Sequence, residues 1–255
     1  MRRYIPRIHR EMSLKSAQPA DFVSLQFTNK PFWCILYRLL CAGYITSVFG
    51  ACALTSGYAK KVLIFLTYWS FTILALYHIT AFVNACLYRN DDVHTTETAS
   101  PNGLRWNFKL QWVLYNIASG AAFIVTAMFW TVVYDGSGVT FCNFHLHAIN
   151  TCFVVMDTFV TRMPVYFRHC LYTVLYAVVY SLFTVLYWAC GGTNHKGKPY
   201  VYEPLNFSDH PLKAVLYLCA TSFVAPPISH GILWGLYKIR YSYIEKRTSS
   251  DEQTV

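Results

Sequence analysis

The sequence predicts an all-α polytopic transmembrane helical bundle with six transmembrane helices, and three observations carry that expectation. Of its 255 residues, 55% are hydrophobic and only 13% charged, about half the charge of an ordinary soluble domain. Mean hydropathy is +0.31, and the apolar residues gather in long runs separated by short polar stretches. Once six runs are threaded through a bilayer, lysine and arginine fall mainly on one side.

The expected spans are residues 31–54, 62–86, 110–134, 145–160, 167–190 and 212–237. A span needs about 20 residues at 1.5 Å each. Pro31 opens the first, where a missing backbone N–H does no harm. Gly136 and Gly138 end the third, and Gly191 and Gly192 end the fifth as C-terminal glycines. The fourth is the weakest, interrupted by His145, His147, Asn150 and Asp157. It reads as a short buried helix shielded by its neighbours or as a re-entrant piece, and the first is favoured because intramembrane polar groups face the protein interior. Pro226 and Pro227 near the middle of the sixth predict a kink. The division that follows is a basic cytoplasmic tail at 1–30, a six-helix transmembrane domain at 31–237 and a cytoplasmic tail at 238–255, with residues 90–107 a loop.

Six spans place both termini on one side, and that side holds fifteen lysines and arginines, among them Arg2, Arg7, Arg105, Arg162, Lys238 and Arg247. The other side holds Lys60, Lys61, Lys196 and Lys198, with Lys213 at its edge. The positive-inside rule then predicts cytoplasmic termini in a multi-pass protein of the plasma membrane or endoplasmic reticulum. The first thirty residues contain six basic side chains and no continuous apolar stretch, so the first span is expected to do the targeting. With a net charge of +9, a nucleic-acid arm is the competing reading. Basic residues beside an anionic leaflet explain the tail without one, and no nucleic-acid partner is expected.

Nine cysteines without a CxxC pair read mostly as small packing residues. Cys142 and Cys190 lie near the same outer surface and form a possible disulfide pair. Asn206-Phe207-Ser208 fits a glycosylation acceptor on an outer loop. His145 and His147 point about 200° apart on a helix and lack a third ligand, so no metal site is expected. No Gly-rich phosphate loop and no Gly-x-Ser-x-Gly elbow occurs, and no cofactor is expected.

One pair of side chains could do chemistry. Thr67 is about five residues into the second span and His147 is near the top of the fourth, which puts both less than about 10 Å below the outer surface. A hydroxyl beside a neutral imidazole is the minimum for covalent hydrolysis. Asn143 shares a face with His147 if the helix already extends that far, as orienting or oxyanion-donating group. Asp157 lies about 15 Å deeper, as a structural or supporting polar residue. The competing reading has Thr67 bonded back to the carbonyl of residue 63 and His147 within a buried polar network. A carrier would want several acids along a path, and Asp157 is the only acid within a span. In the inner half, Arg38 is expected to snorkel toward the cytoplasmic headgroups.

The stretch NFHLHAINTCFVVMD at 143–157, followed by Pro164, Arg168, His169 and Tyr172 and then by YWACGGTNHKGKPYVYEPLNF at 187–207, resembles the Rolling stone family of multi-pass membrane proteins. The resemblance runs from about residue 31 to 237, with Phe207 where that family commonly has tryptophan. Its founding member is a plasma-membrane protein associated with myoblast fusion, which implies a non-enzymatic alternative: a cell-surface protein acting in adhesion or fusion. More distantly, FLTYWS at 65–70, AMFWTVVYD at 127–135, the N-x-x-x-H of Asn143 and His147 and the segment 200–205 are similar, in the same order, to pieces of the androgen-induced membrane hydrolases. Those enzymes cleave fatty-acid esters of hydroxy fatty acids. The resemblance implies Thr67 as nucleophile and His147 as catalytic histidine, with Asp157 where those enzymes have glutamate. Phe144 stands in place of their additional histidine, with His145 adjacent as a supporting residue. The partners implied are membrane lipid and a hydrophobic ester substrate, with nothing to specify a protein partner.

Overall fold

The computed structural model describes residues 14, 17–57, 59–88, 104–136 and 138–252, with side chains as far as Ile244. Parts of the sequence-based division therefore lie outside the described residues, namely the first thirteen residues with their arginines and most of the loop at 90–107. Within a bilayer every backbone N–H and C=O must be satisfied inside the segment that carries it, and the long apolar runs accordingly fold as helices. A short α1 (Ala20–Val23) precedes α2 (Pro31–Thr55) and α3 (Leu66–Leu87). Next come α4 (Trp106–Met128), α5 (Phe141–Phe144), α6 (Asn150–Val160) and α7 (Cys170–Ala189). The chain ends with α8 (Pro211–Cys219) and α9 (Ala225–Glu252). Among the described residues the only β pairing is an isolated bridge between Leu25 and Thr161, so the molecule is an all-α polytopic bundle.

Five stretches are long and apolar enough to cross a membrane: Pro31–Thr55, Leu66–Leu87, Trp106–Val133, Phe167–Ala189 and Pro211–Ile244. The remaining expected span, the weak fourth, begins four residues earlier than its apolar pattern suggested. It runs α5, a π turn at His145–Ile149, then α6. α4 and α9 both pack against α6, which shields the polar side chains that break its hydropathy.

Two further π turns sit where helices change partners, Phe129–Val133 at the end of α4 and Ala220–Val224 before α9. The second lies just ahead of Pro226 and Pro227, and the wider turn lets the helical path continue past two residues that cannot donate. Gly191 ends α7 with φ of 75°, a left-handed cap that returns its N–H to the Trp188 carbonyl at 2.9 Å. Gly120 has a different use. A Cβ there would meet Thr173 Oγ1 at 2.5 Å, so its absence lets α4 and α7 approach closely.

Polar packing dominates the end of the bundle that holds the first turns of α2 and the end of α6. Arg38 is fully buried and donates to Asp157, correcting the expectation that it snorkels. Tyr37 and Tyr77 donate to the same carboxylate. Nor is the segment just before α2 a free tail. Phe22 is fully buried against Phe108 and Trp112, and the Gln26 N–H donates to the Val160 carbonyl at 2.9 Å. At the other end, α9 continues beyond residue 237 and brings Arg240 against the inner ends of its neighbours.

Candidate active site

At the opposite end of the bundle, the last turns of α2 and α4, the first turn of α3, α5 and parts of α7 and α8 surround a cavity of about 890 Å³. Its apolar lining includes Leu66, Val125, Met128, Phe129, Leu146 and Leu218. Its polar lining includes the buried Asn194 and the exposed Asp135, His195, Lys196, Lys198 and Glu203. Thr67, Asn143 and His147 all line this one cavity, so three residues from two distant segments share a chamber. His145 and Asp157 do not line it. His145 Nδ1 sits 2.8 Å from the Phe141 carbonyl, and its ring lies against Phe141 and Tyr44. Asp157 belongs to the buried ion pair below.

Thr67 is the second residue of α3. Thr67 interacts with Tyr202 rather than with the Leu63 carbonyl, which accepts the Trp69 indole N–H at 2.6 Å. The Leu66 N–H donates to the Tyr202 hydroxyl at 3.0 Å. Burial pushes the Tyr202 phenol up, while hydrogen bonds with Tyr180, Leu66 and Thr67 pull it the other way. The loop between α7 and α8 thereby delivers a neutral hydroxyl beside Thr67.

His147 is 8% exposed and stacks flat on Phe129 with ring centroids 3.6 Å apart. Its Nδ1 is enclosed without a hydrogen-bond partner, and the Trp130 indole donates to its backbone carbonyl at 3.1 Å. Two consecutive aromatics of the α4 π turn thus hold both the ring and the backbone of this histidine. Asn143 lies in the first turn of α5, where the Thr140 hydroxyl caps its N–H at 3.1 Å. α5 includes Asn143, while His147 lies in the π turn that follows it.

Cys52 and Cys142 form a disulfide with a Cα separation of 5.6 Å. Cys142 is therefore unavailable to Cys190, which is free and exposed. Both bonded cysteines line the cavity, and the bond ties α2 to the segment bearing Asn143 and His147. Sequence reasoning missed this bond, along with Phe129, Trp130 and Tyr202. The only signal for the last three was their membership of the quoted stretches at 127–135 and 200–205.

A family model described as Protein rolling stone matches residues 24–250. The chain belongs to the Rolling stone family. Protein rolling stone of Drosophila melanogaster is 24% identical over 214 residues, covering 81% of this chain and 77% of that protein. No solved structure matches the chain. The Rolling stone match takes in every spanning helix and both segments that contribute Thr67 and His147, so the cavity lies within the family's shared region.

Proposed function

We propose that this Rolling stone protein is an intramembrane threonine hydrolase of fatty-acid esters. Its cavity would face the outside or the lumen, with both termini in the cytoplasm. The observation that carries the reading is the shared chamber: Thr67, Asn143 and His147 line one cavity whose walls are both apolar and polar. Such a chamber holds an acyl chain while a few polar groups orient the carbonyl.

Thr67 Oγ1 attacks the ester carbonyl as His147 takes its proton. The negative charge on the resulting tetrahedral oxygen forms beside the N-terminus of α3, where the helix dipole favours it. Asn143 supplies a side-chain donor from the facing wall. Collapse breaks the bond to the alcohol oxygen, which takes the proton from the His147 imidazolium and leaves. Water then attacks the acyl-threonine through the same histidine, releasing the acid and restoring the hydroxyl. Tyr202 and Phe129 are positioning residues, acting on Thr67 and His147 respectively.

The orientation is supported by the bias of basic residues and by the Cys52–Cys142 bond at the cavity end, since disulfides persist in oxidising compartments. A lipid-like fluorophosphonate applied to purified protein tests the chemistry, comparing wild type with Thr67→Ala and His147→Ala. Labelling lost in both variants at unchanged folding is expected. Equal labelling of all three, or none in any, overturns the hydrolase reading and leaves the adhesion or fusion role.

A further inference from the structure

Two arginines are deeply placed at the inner end of the bundle, and their surroundings differ in kind. Arg38 meets a carboxylate, Asp157, at 2.8 Å. Arg240, 6% exposed, meets only neutral acceptors: its Nη1 donates to the Thr158 and Thr161 carbonyls at 2.8 and 2.7 Å and its Nη2 to the Met163 carbonyl at 3.2 Å. Its Nε is enclosed without a partner. Arg162, half-buried beside it, likewise meets neutral acceptors, donating to the Leu25 carbonyl at 2.9 Å and to Asn29 Oδ1 at 2.7 Å. Among the described residues no carboxylate reaches ion-pair distance of either guanidinium; Asp21 and Asp157 act on Arg240 only from farther away.

Carbonyl oxygens satisfy N–H donors but leave the charge uncompensated, and a charge held out of water calls for a counter-charge. Both arginines line a groove of about 850 Å³ between residues 26–29 ahead of α2, the end of α6 and the late turns of α9. Beside them on its walls stand Phe27, Phe159, Ile239 and Tyr243, all exposed. One buried and one half-buried guanidinium, flanked by exposed aromatic and aliphatic side chains at the end of a transmembrane bundle, match a phosphate with acyl chains attached better than a free anion.

We propose that this groove binds the head group of an anionic phospholipid from the leaflet on the side of the termini. Arg162 and Arg240 face its phosphate, and Phe27, Phe159, Ile239 and Tyr243 lie along its chains. The lipid supplies a counter-charge that no carboxylate among the described residues brings within ion-pair distance of Arg162 or Arg240. This site is separate from the outer cavity and does not depend on any chemistry there.

The test uses the full chain in nonionic detergent, titrated with dioctanoyl phosphatidylserine, dioctanoyl phosphatidylcholine or inorganic phosphate while thermal unfolding is followed. Phosphatidylserine is expected to raise the midpoint and the other two to leave it unchanged. Arg162→Gln, chosen because Arg240 braces three carbonyls and its loss could unfold the protein, should weaken phosphatidylserine binding about fivefold. Lys238→Gln removes an equal charge from α9 outside the groove and should bind as wild type does. Equal stabilisation by phosphatidylcholine, stabilisation by phosphate alone, undiminished binding in Arg162→Gln or equal weakening in Lys238→Gln would each overturn the proposal.

Discussion

Arg38 Nη1 stands 2.8 Å from Asp157 Oδ1, with both side chains shut away from solvent at 0% and 1% exposure. The pair joins α2 to α6, and Tyr77 on α3 also contacts both partners. Three helices are therefore registered by one carboxylate. A buried pair of this kind is costly to break from one side and cheap to replace as a whole, because a lone buried charge is what the protein cannot tolerate.

Arg38→Met alone should accordingly destabilise the protein by about 3–5 kcal/mol, and Arg38→Met combined with Asp157→Leu should recover most of that loss. Thermal unfolding of the purified variants in one detergent measures both. A double variant no better than the single one would show that the network contributes something besides charge compensation.

The Cys52–Cys142 bond closes a loop of 90 residues in sequence. Cys52→Ser and Cys142→Ser should each abolish the same non-reducing gel shift and lower stability by about 2–5 kcal/mol. Cys190→Ser should do neither. Because the bond anchors the segment carrying Asn143 and His147, both effective variants should also label more slowly with the fluorophosphonate.

Gly120→Ala places a methyl group 2.5 Å from Thr173 Oγ1, and overpacking at this contact should cost about 1–3 kcal/mol. Thr173→Ala in the same chain should relieve part of it, at the expense of the hydrogen bond from Thr173 to the Asn116 carbonyl. If Gly120→Ala proves neutral, the close approach of α4 and α7 is not what the glycine provides.

Epitope tags placed at each end in turn test the orientation. Both should be reached by antibody only after permeabilisation, whereas a maleimide that cannot cross the membrane should react with exposed Cys190 from outside intact cells. A tag accessible on intact cells would overturn the cytoplasmic placement of the termini.

Much of this molecule is legible one residue after another. Helix starts and ends follow from apolar runs, Pro31 and Gly191. Counting residues down each helix predicts that Thr67 and His147 lie at the same end of the bundle, and both line one cavity there. The polar fourth segment was readable as a shielded helix because intramembrane polarity has few other outlets.

Depth is a single coordinate that a sequence supplies at 1.5 Å per residue. Azimuth, meaning which helix stands next to which and which face it turns, is set by packing among all the helices together. Cys52, Cys142 and Cys190 all lie toward the outer end of their segments, and only the packed bundle pairs the first two. Arg38 had the length to snorkel, yet α6 turns Asp157 toward it, and a carboxylate within the bundle outcompetes distant headgroups. Arg240 looked like a tail residue, and the continuation of α9 brings it onto three carbonyls. The sequence by itself determined the class of fold and the order of its helices. Tertiary structure decided their partners, because contacts between helices depend on the mutual rotation of surfaces that no single segment encodes.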